Sequence, residues 1–204
     1  MFKQKGTQPE DTFWYKSLGP TMGSVVLFLF EVAQIIIISL AIIIPVRYFL
    51  IQPFLVRGAS MEPTFYDHEY LIIDEISYRL REPKRGDVVV FRYPMNPSEF
   101  FIKRVIGLPG ETVQIEGGMV TVFNDEFPLG RVLDEPYLGS ETTVGTRKAE
   151  LNPNEYFMLG DNRDHSLDSR TFGPVRRDFV VGRVWFRGFP FNRVSGFPVP
   201  EYNI

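Results

Sequence analysis

The chain has 204 residues, a formal net charge of -3 and an apolar fraction of 44%, which suits one domain of ordinary size with an appendage. The acidic balance gives no basis for nucleic-acid binding, which favours clustered Lys and Arg. The absence of cysteine excludes a disulfide framework and a thiolate zinc site.

Residues 1–24 read as a short polar tail with Gly, Pro and mixed charge, cytoplasmic and poorly ordered. Val25 to Ile44 (VVLFLFEVAQIIIISLAIII) is apolar on all sides. At ~1.5 Å per residue it spans a ~30 Å hydrocarbon core. Glu31 and Gln34 interrupt it, and Arg47 lies where it can snorkel. A buried soluble helix would show a stripe instead. Pro45 to Tyr48 offers no small-x-small cleavage site. The segment 25–47 is therefore expected to be one uncleaved transmembrane anchor. Lys3, Lys5 and Lys16 before it, against Arg47 and Arg57 after it, place the N-terminus in the cytoplasm and residues 48–204 outside it.

After the anchor the pattern changes to short strands. Arg47 to Val56 reads as an extended segment, because Pro53 opposes a helix. Strands are expected at Tyr70–Asp74, Asp87–Arg92, Phe100–Leu108 and Thr112–Ile115, and a last one at Val180–Phe186. Gly117-Gly118 marks a hairpin. Residues 124–154 are more polar and read as an inserted lobe or loop. The fold class expected is mostly β: a coiled, barrel-like antiparallel sheet behind one transmembrane helix.

Three stretches carry candidate chemistry. Ser60 lies in Arg57-Gly58-Ala59-Ser60-Met61-Glu62-Pro63-Thr64, where small neighbours leave its hydroxyl open to a carbonyl. It does not match the G-x-S-x-G elbow, and serine needs a base. His68 reads as part of a solvated turn, whereas His165 is a rival base. Lys103 lies in Phe100-Phe101-Ile102-Lys103-Arg104-Val105-Ile106. It shares a strand face with Phe101 and Val105, which disfavour the ammonium form. Arg104 stays protonated and cannot act as a base. A lysine that merely snorkels is the competing reading. The third stretch, Gly160 to Arg170 (GDNRDHSLDSR), combines three carboxylates with two guanidiniums. Its spacing does not match a calcium loop, and a metal site on Asp161, Asp164, His165 and Asp168 is disfavoured by the interspersed arginines.

In order along the chain stand Gln52-Pro53-Phe54, Ser60 to Thr64, Arg85 to Phe91 (RGDVVVF), Ile102 to Gly110 (IKRVIGLPG) and Gly160 to Asp164 continuing through Arg170. Together they resemble the bacterial type I signal peptidases. The resemblance implies a membrane-bound serine endopeptidase that removes signal peptides from exported preproteins after small residues of the Ala-x-Ala type, with no cofactor. It implies Ser60 as nucleophile, Lys103 as general base and Ser166 holding the lysine amine. It pairs Arg104 with Asp161 and Asp168 with Arg170. It assigns the oxyanion to the Ser60 N–H, with the Gly58 backbone assisting, and the substrate pockets to Val56, Met61, Phe65, Phe101 and Ile102. The implied partners are signal peptides of preproteins and membrane lipid, with the export translocon as an open third.

The chain departs from the pattern at Gly58, where some members carry a supporting serine. It departs again at His165, in place of an Asn, and at Val56-Arg57, in place of Ile-Pro. A membrane-anchored binding module and a self-cleaving Ser-Lys repressor are the competing classes. The anchor and the lack of any helix-turn-helix segment before Ser60 speak against the second.

Overall fold

The computed structural model describes residues 13–45, 52–139, 141–197, 199–200 and 202–204. The chain divides into two units, Met1–Tyr48 and Phe49–Ile204. The first contains helix α1, Phe13–Pro45. Within it, Thr21–Ile44 is long and apolar enough to cross a membrane and leaves its large apolar side chains, Phe28 to Phe30 and Ile35 to Ile38 among them, exposed. It fits a membrane anchor. The tail expected over residues 1–24 is helical from Phe13 onward, because extending an established helix costs far less than starting one. Residues 1–12 and 46–51, including Arg47, lie outside the described residues.

The second unit is built on strands β1 (Gln52–Leu55), β2 (Tyr70–Asp74), β3 (Val88–Tyr93), β4 (Asn96–Gly107), β5 (Thr112–Glu116) and β6 (Met119–Phe123). They are followed by β7 (Arg131–Val132), β8 (Arg147–Glu150), β9 (Glu155–Leu159), β10 (Val175–Arg176), β11 (Val180–Phe189) and β12 (Ser195–Gly196). Two short helices intervene, α2 (Ile76–Leu80) and α3 (Ser169–Phe172).

Every described pairing is antiparallel. One sheet runs β1-β2-β11-β3-β4-β9-β10, with β12 also on β11, and the other runs β7-β6-β5-β8. Register shifts along β11, against both β2 and β3, bend the larger sheet. The mostly β, coiled antiparallel class expected from the sequence is the class observed. The strand expected to be last, from Val180, extends to Phe189 and is followed by β12.

The expected hairpin is present. Glu116 faces Met119 across Gly117 and Gly118, whose φ values of 59 and 82 fit a two-residue turn matched to strand twist. The lobe placed at 124–154 is drawn too short. Its strands β7 and β8 pair with β6 and β5, so the second sheet begins at Thr112. Its outer face mixes polar Gln114, Thr121 and Lys148 with exposed Met119, while Val113, Ile115, Val120 and Val122 bury the other against Phe157 and Leu159.

β4 positions the site because its residues enter all three cores. Ile102 packs with Val88 and Val90, Val105 with Val89 and Phe91, and Ile106 with Val113 and Phe157. With both faces covered, its polar side chains must be paired or desolvated.

Candidate active site

β4 lies between β3 and β9, with Lys103 opposite Val89 and Arg104 opposite both Val88 and Leu159. The chain leaves β9 at Leu159 directly into the polar stretch, so residues 160–170 emerge beside Lys103. From the other side comes the turn at Ser60. This turn is closed by hydrogen bonds from the Glu62 N–H to the Ala59 carbonyl (3.1 Å) and from the Phe65 N–H to the Met61 carbonyl (2.8 Å).

Lys103 Nζ donates to Ser60 Oγ at 2.8 Å and to the Ile102 carbonyl at 2.8 Å. Lys103 is 3% exposed. Burial pulls its amine down to about 8, against the opposing pull of the Asp168 and Asp161 carboxylates. A half-buried hydroxyl held by such an amine can lose its proton to it near neutral pH. The Phe101 ring lies 5.4 Å from Nζ. His165 is exposed and makes its contacts to Asn162, not to Ser60.

The charges around this pair are neutralised locally. Arg104 grips Asp161 with two hydrogen bonds, 2.8 and 2.5 Å, and Asp161 also accepts from the Thr64 hydroxyl at 2.6 Å. Burial disfavours the Arg104 cation, but the bonds and charge of Asp161 prevail and raise its pKa. Arg170 grips Asp168 at 2.8 and 2.8 Å. Asp168 also accepts from the Gly160 N–H at 3.1 Å and caps α3 through the Arg170 N–H. Arg163, fully covered, pairs outside the loop with Glu135 at 2.6 Å. Arg187 pairs with Glu69 at 2.9 Å and donates to the Thr64 carbonyl, fixing the exit of the Ser60 turn.

A cleft of about 800 Å³ opens at Ser60 and Lys103, lined by Val56, Phe101 and Ile102 among others. One wall is residues 54–60, the other 99–103, with His165 and Leu167 at a third side.

The sequence, then, brings Ser60, Lys103, Arg104, Asp161, Asp168 and Arg170 together. Four placements differ from expectation. Ser166 Oγ makes no hydrogen bond and does not reach the Lys103 amine. It packs on Gly160, where a Cβ would sit 2.1 Å from Ser166 Oγ and 2.4 Å from the Ser60 carbonyl oxygen. The Gly58 N–H is taken by Asp67 Oδ1 at 2.9 Å, so it is not free for an oxyanion. Met61 and Phe65, 1% and 0% exposed, lie in the core with Leu71, Ile73 and Val184, and neither lines the cleft. Residues 61 and 65 share one side of a closed helical turn, so burying one buries the other. Sequence reading also missed Thr64, Asp67 and Asn162. Thr64 stood in a quoted motif, but as part of a pattern and not as a ligand for Asp161.

Comparison with known proteins decides what this arrangement belongs to. The family model described as signal peptidase, peptidase S26, matches residues 29–189. This chain belongs to the peptidase S26 family. It is 36% identical over 198 residues to a probable signal peptidase I-2 of Synechocystis sp., covering 95% of this chain and 81% of that protein. It is 37% identical over 182 residues to a signal peptidase I of Leptolyngbya laminosa (85% and 87%) and 34% identical over 177 residues to one of Bacillus licheniformis (81% and 91%). This S26 member is therefore a serine endopeptidase. The match spans α1 from Leu29 to the end of β11, so it includes part of the anchor helix and every element that borders the cleft. In this S26 peptidase Ser60 and the buried Lys103 amine both line the cleft between residues 54–60 and 99–103.

Proposed function

We propose that this peptidase removes N-terminal signal peptides from exported preproteins, cutting after small residues of the Ala-x-Ala type with Ser60 and Lys103 as a dyad. The contact between Lys103 Nζ and Ser60 Oγ, 2.8 Å long and buried on the lysine side, carries this reading.

Neutral Lys103 takes the Ser60 proton as Oγ attacks the scissile carbonyl. The resulting ammonium returns that proton to the leaving amine of the mature protein, and the acyl-enzyme remains. Lys103 then accepts a proton from water, which attacks the ester; as the acyl–Oγ bond breaks, the ammonium returns that proton to Ser60 Oγ and the signal peptide leaves as a carboxylate. Arg104–Asp161 and Asp168–Arg170 hold the two loops so that neither carboxylate competes for the amine.

Substrate recognition follows from an outer strand. The Val56 N–H and C=O both bond towards β2, to the Glu69 carbonyl and the His68 N–H. By strand alternation, Leu55 and Arg57 present theirs to the unpaired side, which borders the cleft. Pro53 has the same parity, and a proline is tolerated there because no partner needs its N–H. An extended peptide adds to this edge, with Val56, Phe101 and Ile102 limiting the side chains near the cut. Helix α1 anchors the enzyme with the N-terminus cytoplasmic and the domain from residue 48 outside; lipid and preproteins are its partners, the export translocon a further candidate.

The test is cleavage of a preprotein carrying an Ala-x-Ala site. Ser60→Ala and Lys103→Ala each abolish cleavage, and His165→Ala retains substantial activity. Cleavage that survives Lys103→Ala but is lost in His165→Ala overturns the dyad.

A further inference from the structure

With the Gly58 N–H bound to Asp67, the Ser60 N–H is a backbone donor left at the nucleophile itself. Among the described residues no protein acceptor takes it. An oxyanion donor works only if it is aimed before the charge develops, since reorientation during reaction forfeits most of the gain. What aims this N–H is decided by its own peptide plane. In a trans peptide the C=O of Ala59 and the N–H of Ser60 point in opposite directions. Fixing one fixes the other.

The Ala59 carbonyl is fixed twice, by the Glu62 N–H at 3.1 Å and by Asn162 Nδ2 at 3.1 Å. Asn162 also donates its backbone N–H to the Ser60 carbonyl at 3.1 Å. It therefore holds the peptide planes on both sides of Ser60. The orientation of its amide is not free. Asn162 Oδ1 accepts the His165 backbone N–H at 3.1 Å, which requires the oxygen on that side and leaves Nδ2 for Ala59. The His165 ring nitrogen Nδ1 lies 3.3 Å from the same oxygen.

We infer that Asn162 is a positioning residue that aims the Ser60 N–H at the developing oxyanion, with the His165 backbone setting its amide. Asn162 touches no substrate atom in this scheme; it acts through the Ala59–Ser60 peptide. The inference rests on Ser60 being the nucleophile.

A residue that aims a transition-state donor affects kcat and leaves ground-state binding alone. The test uses the full-length enzyme in detergent, with wild type, Asn162→Ala, Asn162→Asp and Ser60→Ala. Cleavage of an Ala-x-Ala peptide is measured alongside inhibition by a peptide aldehyde, which forms a tetrahedral adduct, and binding of a non-cleavable peptide. Asn162→Ala is expected to lower kcat about 10- to 100-fold, less than or equal to removal of a whole oxyanion donor. Aldehyde affinity falls in parallel, while KM and non-cleavable peptide binding stay within about two-fold. Asn162→Asp keeps the acceptor for His165 but sets an oxygen against the Ala59 carbonyl, so it shows the same split and decides the matter if the Ala variant does not fold. Wild-type kcat in either folded variant, or a loss confined to KM, overturns the inference. If Ser60→Ala still cleaves, the nucleophile reading itself has failed, a result distinct from a normal Asn162 variant beside an inactive Ser60→Ala.

Discussion

At the scale of single residues, the protein resolves a conflict at Lys103. As the base of the proposed dyad this lysine must be neutral to accept a proton, yet the site needs carboxylates nearby to keep its loops in place. Asp161 and Asp168 are each gripped by a guanidinium, and burial lowers the amine to about 8 despite them. The kinetic consequence has a definite sign. Below about 8 most of the lysine carries its proton and cannot act; at pH 7 about a tenth of the molecules are competent. The value of kcat/KM for a soluble peptide is expected to rise about tenfold per pH unit below that point and to level off above it. A pH–rate profile with its inflection at 10 or above, the ordinary lysine range, contradicts this. Ser60 and Lys103 stood out in the sequence as candidates, a small-residue turn and a cation among apolar strand residues, but only the five ordered stretches favoured Lys103 over His165. Asp67 on Gly58 and Asn162 on Ala59 were not legible there. Those bonds join positions that only tertiary closure brings together, and nothing in a short polar side chain announces which carbonyl it will meet.

At the scale of elements, the site is a junction of two loops on one strand. The Ser60 turn and the stretch after β9 touch at Gly160, whose missing Cβ leaves room for both Ser166 and the Ser60 carbonyl. Here the limitation is space. Gly160→Ala must displace a backbone carbonyl of the nucleophile turn, and the activity against an Ala-x-Ala peptide is expected to fall by more than 100-fold. Overpacking of this kind also costs about 1–3 kcal/mol of stability, which thermal unfolding measures. Activity near wild type in Gly160→Ala shows that the loops do not meet as described. The strands themselves were mostly legible: β2, β5 and the Gly117-Gly118 hairpin fall where alternation and turn residues put them. The second sheet was under-read because β7 and β8 are short and polar on their exposed sides. The assignment of Met61 and Phe65 to the pockets failed for a different reason. A family position fixes neither the pitch of a turn nor the face it buries, and the closed turn from Met61 to Phe65 directs both inward.

At the scale of the whole molecule, the two units have separate physical tasks. Helix α1 exposes large apolar side chains along Thr21–Ile44, whereas the described residues of the second unit carry three apolar cores of their own. A unit with its own core folds without its tether. Protein lacking residues 1–48 is expected to cleave a soluble Ala-x-Ala peptide at a rate within about tenfold of the full chain, and to lose flotation with phospholipid vesicles by more than about 90%. A truncated protein that is inactive or unfolded assigns the helix a part in the catalytic fold; one that still floats moves the membrane affinity elsewhere. The long apolar helix was the plainest reading in the sequence, since bilayer thickness alone sets the length that an anchor needs.

The unpaired side of β1 has a further consequence. A ladder of backbone hydrogen bonds is indifferent to side-chain identity, so with substrate on this edge, as proposed, the edge supplies affinity to any extended chain and leaves discrimination to a few confined positions by Val56, Phe101 and Ile102. That division lets one enzyme process many unrelated precursors. In the same proposal the fragment on the acyl side stays paired with this edge after the cut, so turnover depends on something removing it, and the lateral escape of a hydrophobic peptide into lipid is a natural sink for it.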